Sequence, residues 1–194
     1  MTSIIKVDEI QRKTGTGPVN LGGGQILEIL SSVCDGSSIT VGSGTYTFEN
    51  VSAKQSLTTT HTDVTGSSMN YTPPSGTTRV EYDFNFFVSR DAVVSSSICH
   101  FKFVLDGVDV NHSRTTYRTT NMEHRQSFKW VVNIGGATNT SVGRLSSWTS
   151  GKIMKLQARE YNNSHLGKIH ETVHWDGGGG NILSIPNLTI TAIR

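Results

Sequence analysis

The chain has 194 residues, enough for one domain with a short appendage, and a formal net charge of only +2. Charged residues make up 16%, there are 20 Gly, and Ser and Thr together supply about a quarter, a mixture that suits short strands and turns better than helices. So small a charge bias argues against a nucleic-acid or acidic-membrane binder, and no apolar run reaches the length of a signal peptide or a membrane span. The expectation is synthesis in a cytoplasm, without membrane insertion.

In chain order, the first feature is an apolar strip, Ile4, Ile5, Val7 and Ile10, followed by Thr14-Gly-Thr-Gly-Pro18 and Gly22-Gly-Gly24. These breakers set residues 1–24 apart as an arm and leave 25–194 as the body. Exposed apolar arms dock on partners, so Ile4, Ile5, Val7 and Ile10 are the candidate attachment residues. The glycines do not have the spacing of a phosphate-binding loop. Ile26 to Val33 is the one stretch with helical potential, and its Gly- and Ser-rich neighbours argue against a helix. The Thr-rich run from Ser56 to Ser68 reads as a polar strand edge or loop.

Strict alternation begins at Val80-Glu-Tyr-Asp-Phe-Asn-Phe86, where Val80, Tyr82, Phe84 and Phe86 face one way and Glu81, Asp83 and Asn85 the other. Phe101, Phe103 and Leu105 lead into Asp106-Gly107, with Val108 and Val110 beyond. That pattern predicts a hairpin, because Asp-Gly tolerates positive φ at both turn positions. Cys99 shares the parity of this strand's apolar residues and is expected in the core, and nothing in the chain requires a bridge to Cys34.

The segment His112 to Lys129 carries Arg114, Arg118, Arg125 and Lys129 around Tyr117 and Phe128. A solvated strand and loop face is the plain reading, and a contact surface for an acidic glycan or protein is the other. Strands are then predicted through Phe128, Trp130, Val132 and Ile134, ended by Gly135-Gly136, through Met154, Leu156 and Ala158, and through Leu188, Ile190 and Ala192 after Pro186. Antiparallel strands at this spacing predict an all-β fold, a sandwich or jelly roll.

His170-Glu-Thr-Val-His174 matches the H-E-x-x-H zinc signature letter for letter. That chemistry needs a helix, which brings residues i and i+4 to one metal. Here Thr172 and Val173 are β-branched and glycines flank the segment, and in a strand the two imidazoles would stand about 13 Å apart. The longer signature would place a third His at 180, where the chain has Gly180. A pair of strand histidines is therefore expected, with Ile169, Val173 and Trp175 inward and Glu171 awkwardly sharing their parity, and an amphipathic helix through Leu166, Ile169 and Val173 is the other reading. No Gly-x-Ser-x-Gly elbow or close carboxylate pair stands out either, so no catalytic residue, metal or cofactor is assigned.

The run Ile4-Ile-Lys-Val-Asp-Glu-Ile-Gln with Thr14-Gly-Thr-Gly-Pro resembles the opening of many fibre and virion structural proteins of marine, cyanophage-type tailed bacteriophages. Tyr71-Thr-Pro-Pro-Ser-Gly-Thr-Thr-Arg-Val80 resembles that family's entry into its first long core strand. Trp175-Asp-Gly-Gly-Gly-Gly with Ile185-Pro-Asn-Leu-Thr-Ile-Thr-Ala-Ile193 looks like its closing strand. The resemblance implies a TNF/C1q-like jelly-roll head, a homotrimer, and attachment to other virion proteins through Ile4, Ile5, Val7 and Ile10. It also implies contact between the head and a host surface glycan or protein, and an ordinary strand at His170 to His174. It offers no catalytic residues, cofactor or nucleic-acid contact. The expected function is thus a phage virion structural protein: a tail or head fibre, a spike or a capsid decoration protein. The alternative is a free carbohydrate-binding β-sandwich module, which would have no use for the apolar arm.

Overall fold

The computed structural model describes residues 24–91, 93–120, 123–172 and 182–194. The arm carrying Ile4, Ile5, Val7 and Ile10 lies outside the described residues, as do Val173, His174 and Trp175.

The Arg79–Arg90 strand organises the fold. Its even-numbered side chains from Val80 to Val88 are buried, and Glu81, Asp83 and Asn85 lie on the wetter face, as the alternation requires. Along one edge it pairs antiparallel with Asn187–Ile193 and then with Gly167–Ile169, and along the other with Glu123–Asn133. Ile26–Val33 adds outside Asn187–Ile193, and Gln55–Ser56 adds outside Gly167–Ile169, completing a six-stranded sheet.

The second six-stranded sheet centres on Ser97–Leu105 and Lys152–Glu160, which pair with each other. Thr115–Thr119 lies outside the first of these, and Met69–Tyr71 and Thr62–Asp63 pair with the second. Leu105 turns through Asp106 and Gly107, with φ of 53° and 79°, into Val108–Asp109, giving the predicted two-residue hairpin. Every named strand pair is antiparallel, and the architecture is the expected jelly-roll-like sandwich. Ile26–Val33 is a strand rather than a helix.

The two sheets meet through aromatic rings. Tyr82 and Phe103 have centroids 5.0 Å apart, Phe86 and Phe101 5.6 Å, and Phe103 and Phe128 6.4 Å. Each ring removed from water contributes about 1.5–3 kcal/mol of burial free energy. Tyr82 is fully buried and its hydroxyl donates to the Ser67 carbonyl at 2.7 Å, which satisfies the one polar atom the ring takes inside.

Both cysteines are free and buried. Burial pushes the Cys34 thiol up to about 12 and the Cys99 thiol to about 11. The Thr-rich run is more than a polar edge. It crosses from one sheet to the other between Gln55–Ser56 and Thr62–Asp63, burying Leu57 on the way and Val64 just beyond.

Gly167 shows how closely the layers meet. A Cβ there would lie 2.5 Å from the Cys99 Sγ and 3.4 Å from Leu57. Gly167→Ala is expected to cost roughly 1–3 kcal/mol through overpacking. In urea denaturation, the same substitution made on a Cys99→Ala background should cost clearly less. An equal cost in both backgrounds would place the strain elsewhere.

Candidate functional site

His170 and Glu171 are where the zinc-like pattern meets the structure. The segment is not the uninterrupted strand expected. Gly167–Ile169 and Glu171–Thr172 are separated by His170 at φ +65°, in the left-handed region. That break cancels the alternation, so Ile169, His170 and Glu171 are all fully buried. It also resolves the parity conflict that an unbroken strand left at Glu171.

The His170 backbone is held by His170 N–H to Phe87 O and by Ser184 N–H to His170 O, both at 2.9 Å. Its Nε2 donates to Thr65 O at 2.9 Å, and the ring meets Phe84 and Phe86 edge-on. Glu171 is engaged by Lys54 at 3.3 Å, Lys168 at 3.9 Å and the Ser89 hydroxyl at 3.2 Å. The carboxylate is thus committed to pairing and the imidazole to packing, with its Nδ1 buried without a hydrogen-bond partner among the described residues.

Burial holds the His170 imidazole down to about 4, the Thr65 bond opposing only in part. The folded protein keeps this ring neutral, whereas an unfolded chain protonates it near pH 6.5. Its contribution to stability is therefore complete above about pH 6.5 and fades as pH falls toward 4, by roughly 3 kcal/mol. In urea titrations, His170→Gln should flatten that part of the pH–stability curve. An unchanged curve would assign the acid sensitivity to other groups.

A concave site lies instead on the outside of the second sheet. Register brings together residues far apart in sequence. Thr116 pairs with His100, His100 with Arg159, and continuing the Ala158–Thr62 pairing by one residue sets His61 beside Arg159. The cleft is lined by His61, His100, Arg114, Thr116 and Arg159, with a volume of about 210 Å³. The neighbouring outward row runs Lys102, Gln157 and Asp63.

The charges here are unevenly matched. Lys102 and Arg114 share Asp109, at 2.7 and 3.1 Å, and Lys155 pairs with Asp63 at 2.8 Å. Arg159 donates to the Glu160 carbonyl at 3.3 Å and forms no ion pair among the described residues. The His100 Nδ1 meets the Thr116 hydroxyl at 2.8 Å, while its Nε2 is buried without a partner. Tyr161, 52% exposed, stands beside the cleft with its ring 6.0 Å from that of His100. Burial, then Lys102, Arg159 and Arg114, hold His61 down to about 4, Asp109 opposing. Burial and Arg159 lower His100 as well.

Of the basic segment marked in the sequence, Arg114 enters this cleft from just before the Thr115–Thr119 strand, and Arg118 is exposed on that strand. Arg125 and Lys129 belong to the other sheet, over Phe87 and against Asp83 respectively. Sequence reasoning missed His61, His100 and Arg159, because only strand register makes them neighbours.

No protein-family model matches the chain, and no curated protein matches it in sequence. Among solved structures it is similar to the EclA C-terminal domain, a sugar-binding protein, at 12% identity over 79% of each chain with a TM-score of 0.27. It is also similar to a chain in the structure of infectious bursal disease virus Gx strain, at 9% identity and a TM-score of 0.36, covering 92% of this chain and 41% of that one. The chain thus spans well under half the length of that viral protein. At such scores neither likeness fixes a function.

Proposed function

We propose that this chain is a non-enzymatic structural protein of a tailed-phage virion, attached to the particle through its N-terminal segment and contacting a host surface through its β head. The attachment half rests on the resemblance of residues 4–18 and of the closing strand to virion proteins. The contact half rests on one observation: an open sheet face that carries a concave, charged cleft edged by an exposed tyrosine. The two thiols are buried and pushed to high pKa, and the His170 and Glu171 side chains serve packing and ion pairing.

The same cleft would serve a free carbohydrate-binding module, and the two readings part at the arm and at assembly. A virion protein of this kind is a homotrimer that needs residues 1–24 to join the particle, whereas a free module needs neither.

Light scattering after size exclusion should give three times the 21.1 kDa chain mass. Gold-labelled antibody should mark particles made with the full chain and not those made with residues 1–24 deleted. A monomer that binds glycan regardless of the arm would favour the free module.

A further inference from the structure

We infer that the cleft of His61, His100, Arg114, Thr116 and Arg159 binds the oxyanion of an acidic sugar, a carboxylate or a sulfate ester, with the sugar ring lying toward Tyr161. This rests on the reading of the head as a surface-contact module and names the class of ligand.

The charge balance comes first. Lys102, Arg114 and Arg159 converge on the region, and Asp109 already serves two of them. Arg159 keeps most of its donor fork for the cleft, and a guanidinium fork matches a carboxylate or sulfate in plane and in donor spacing. A neutral sugar would leave that cation uncompensated as it covered it, which is costly.

His100 supplies a second pointer. Its Nδ1 is taken by the Thr116 hydroxyl, and its Nε2, a donor both when that hydroxyl donates to Nδ1 and in the imidazolium, is buried with no partner among the described residues. Seven side-chain nitrogen or oxygen atoms among the described residues are buried without a partner, and this one belongs to a residue that lines the cleft, where an oxyanion would supply the acceptor. Both signals sit in one pocket of about 210 Å³, room for a single charged ring and not for a length of polymer.

Tyr161 distinguishes a sugar from a bare ion. Its half-exposed ring beside His100 offers an apolar face to the C–H face of a pyranose. A nucleic acid is a poor match: phosphate backbones need an extended basic track, and here the cations gather at one pocket of a chain with net charge +2.

The histidines couple binding to protons. His61 faces Lys102, Arg114 and Arg159 against Asp109, with Asp63 nearby engaged by Lys155 and Gln157, and His100 faces Arg159, Thr116 and Tyr161. Both rings are therefore held neutral at pH 7, and a bound anion favours their protonated forms. Binding then takes up protons, so affinity rises as pH falls from 7 toward 5.

The test is calorimetry on the full chain with sulfated heparin fragments, with carboxylated oligogalacturonate, with neutral dextran, and with duplex DNA as a competitor class. One or both acidic oligosaccharides should bind, more tightly at pH 5 than at pH 7. The sulfated and carboxylated arms then tell which oxyanion the cleft prefers. Arg159→Gln should weaken binding at least tenfold and His100→Ala should remove most of the pH dependence. Arg125→Gln, on the other sheet, should bind as the parent does, and thermal melts confirm that each variant is folded. Dextran binding as tightly as the acidic sugars, an equal loss in Arg159→Gln and Arg125→Gln, or preferential binding of DNA would each overturn the assignment while leaving a contact surface. Binding of no saccharide at all would sink the surface-contact reading itself.

Discussion

Everything in this fold depends on the alternation of one strand, Arg79–Arg90. Because successive side chains point to opposite faces, burying Val80, Tyr82, Phe84, Phe86 and Val88 fixes which face of the strand is inner along its whole length. It pairs with three others, so its register is passed to Asn187–Ile193, Gly167–Ile169 and Glu123–Asn133. Its rings then meet those of Phe101, Phe103 and Phe128, which orients the second sheet as well. A one-residue slip anywhere along it would expose five apolar side chains and bury carboxylates in their place.

The outer face of the second sheet is a consequence of that inner packing. Cys99, Phe101 and Phe103 are held inward, so His100 and Lys102 must point outward. Leu156 and Ala158 do the same for Gln157 and Arg159 on the neighbouring strand. Apart from Phe101, the cleft is lined by residues outside the core, on a frame the core builds. Substitutions at those outward positions are accordingly expected to leave the fold in place.

Legibility in the sequence follows the range of the interactions. Val80 to Phe86, the Asp106-Gly107 turn and the Leu188 to Ala192 strand were readable because alternation and turn chemistry are properties of adjacent residues. The inward position of Cys99 followed from the same parity. The crossing of the Ser56 to Ser68 run between sheets was hidden by its hydroxyl-rich composition, with Leu57 and Val64 too isolated to mark it. At His170 the backbone leaves the extended region for φ +65°, which no period-2 pattern anticipates in a non-glycine residue. The cleft was half visible, through Arg114. His61, His100 and Arg159 come from separate strands, and their meeting is a fact of pairing that one sequence does not display.

Two polar clusters show how packing and function can be told apart. Inside the sandwich, the Glu28 carboxylate is nearly buried, yet it accepts bonds from Tyr71 at 2.9 Å, from the Ser43 hydroxyl at 2.6 Å and from the Ser43 amide at 2.9 Å. Tyr46 donates onward to the Thr72 carbonyl at 3.0 Å, and Trp148 to the Tyr71 carbonyl at 3.1 Å. That network closes on itself, and a closed network gives the interior one arrangement and asks for no ligand. The outer cleft is arranged differently. His100 keeps a buried nitrogen unanswered, and Arg159 keeps a charge that no carboxylate among the described residues neutralises. His170 Nδ1 is likewise buried without a partner, but it is enclosed by aromatic rings, whereas the unanswered His100 nitrogen belongs to a cleft that also holds an unpaired guanidinium, an arrangement that a bound anion would complete.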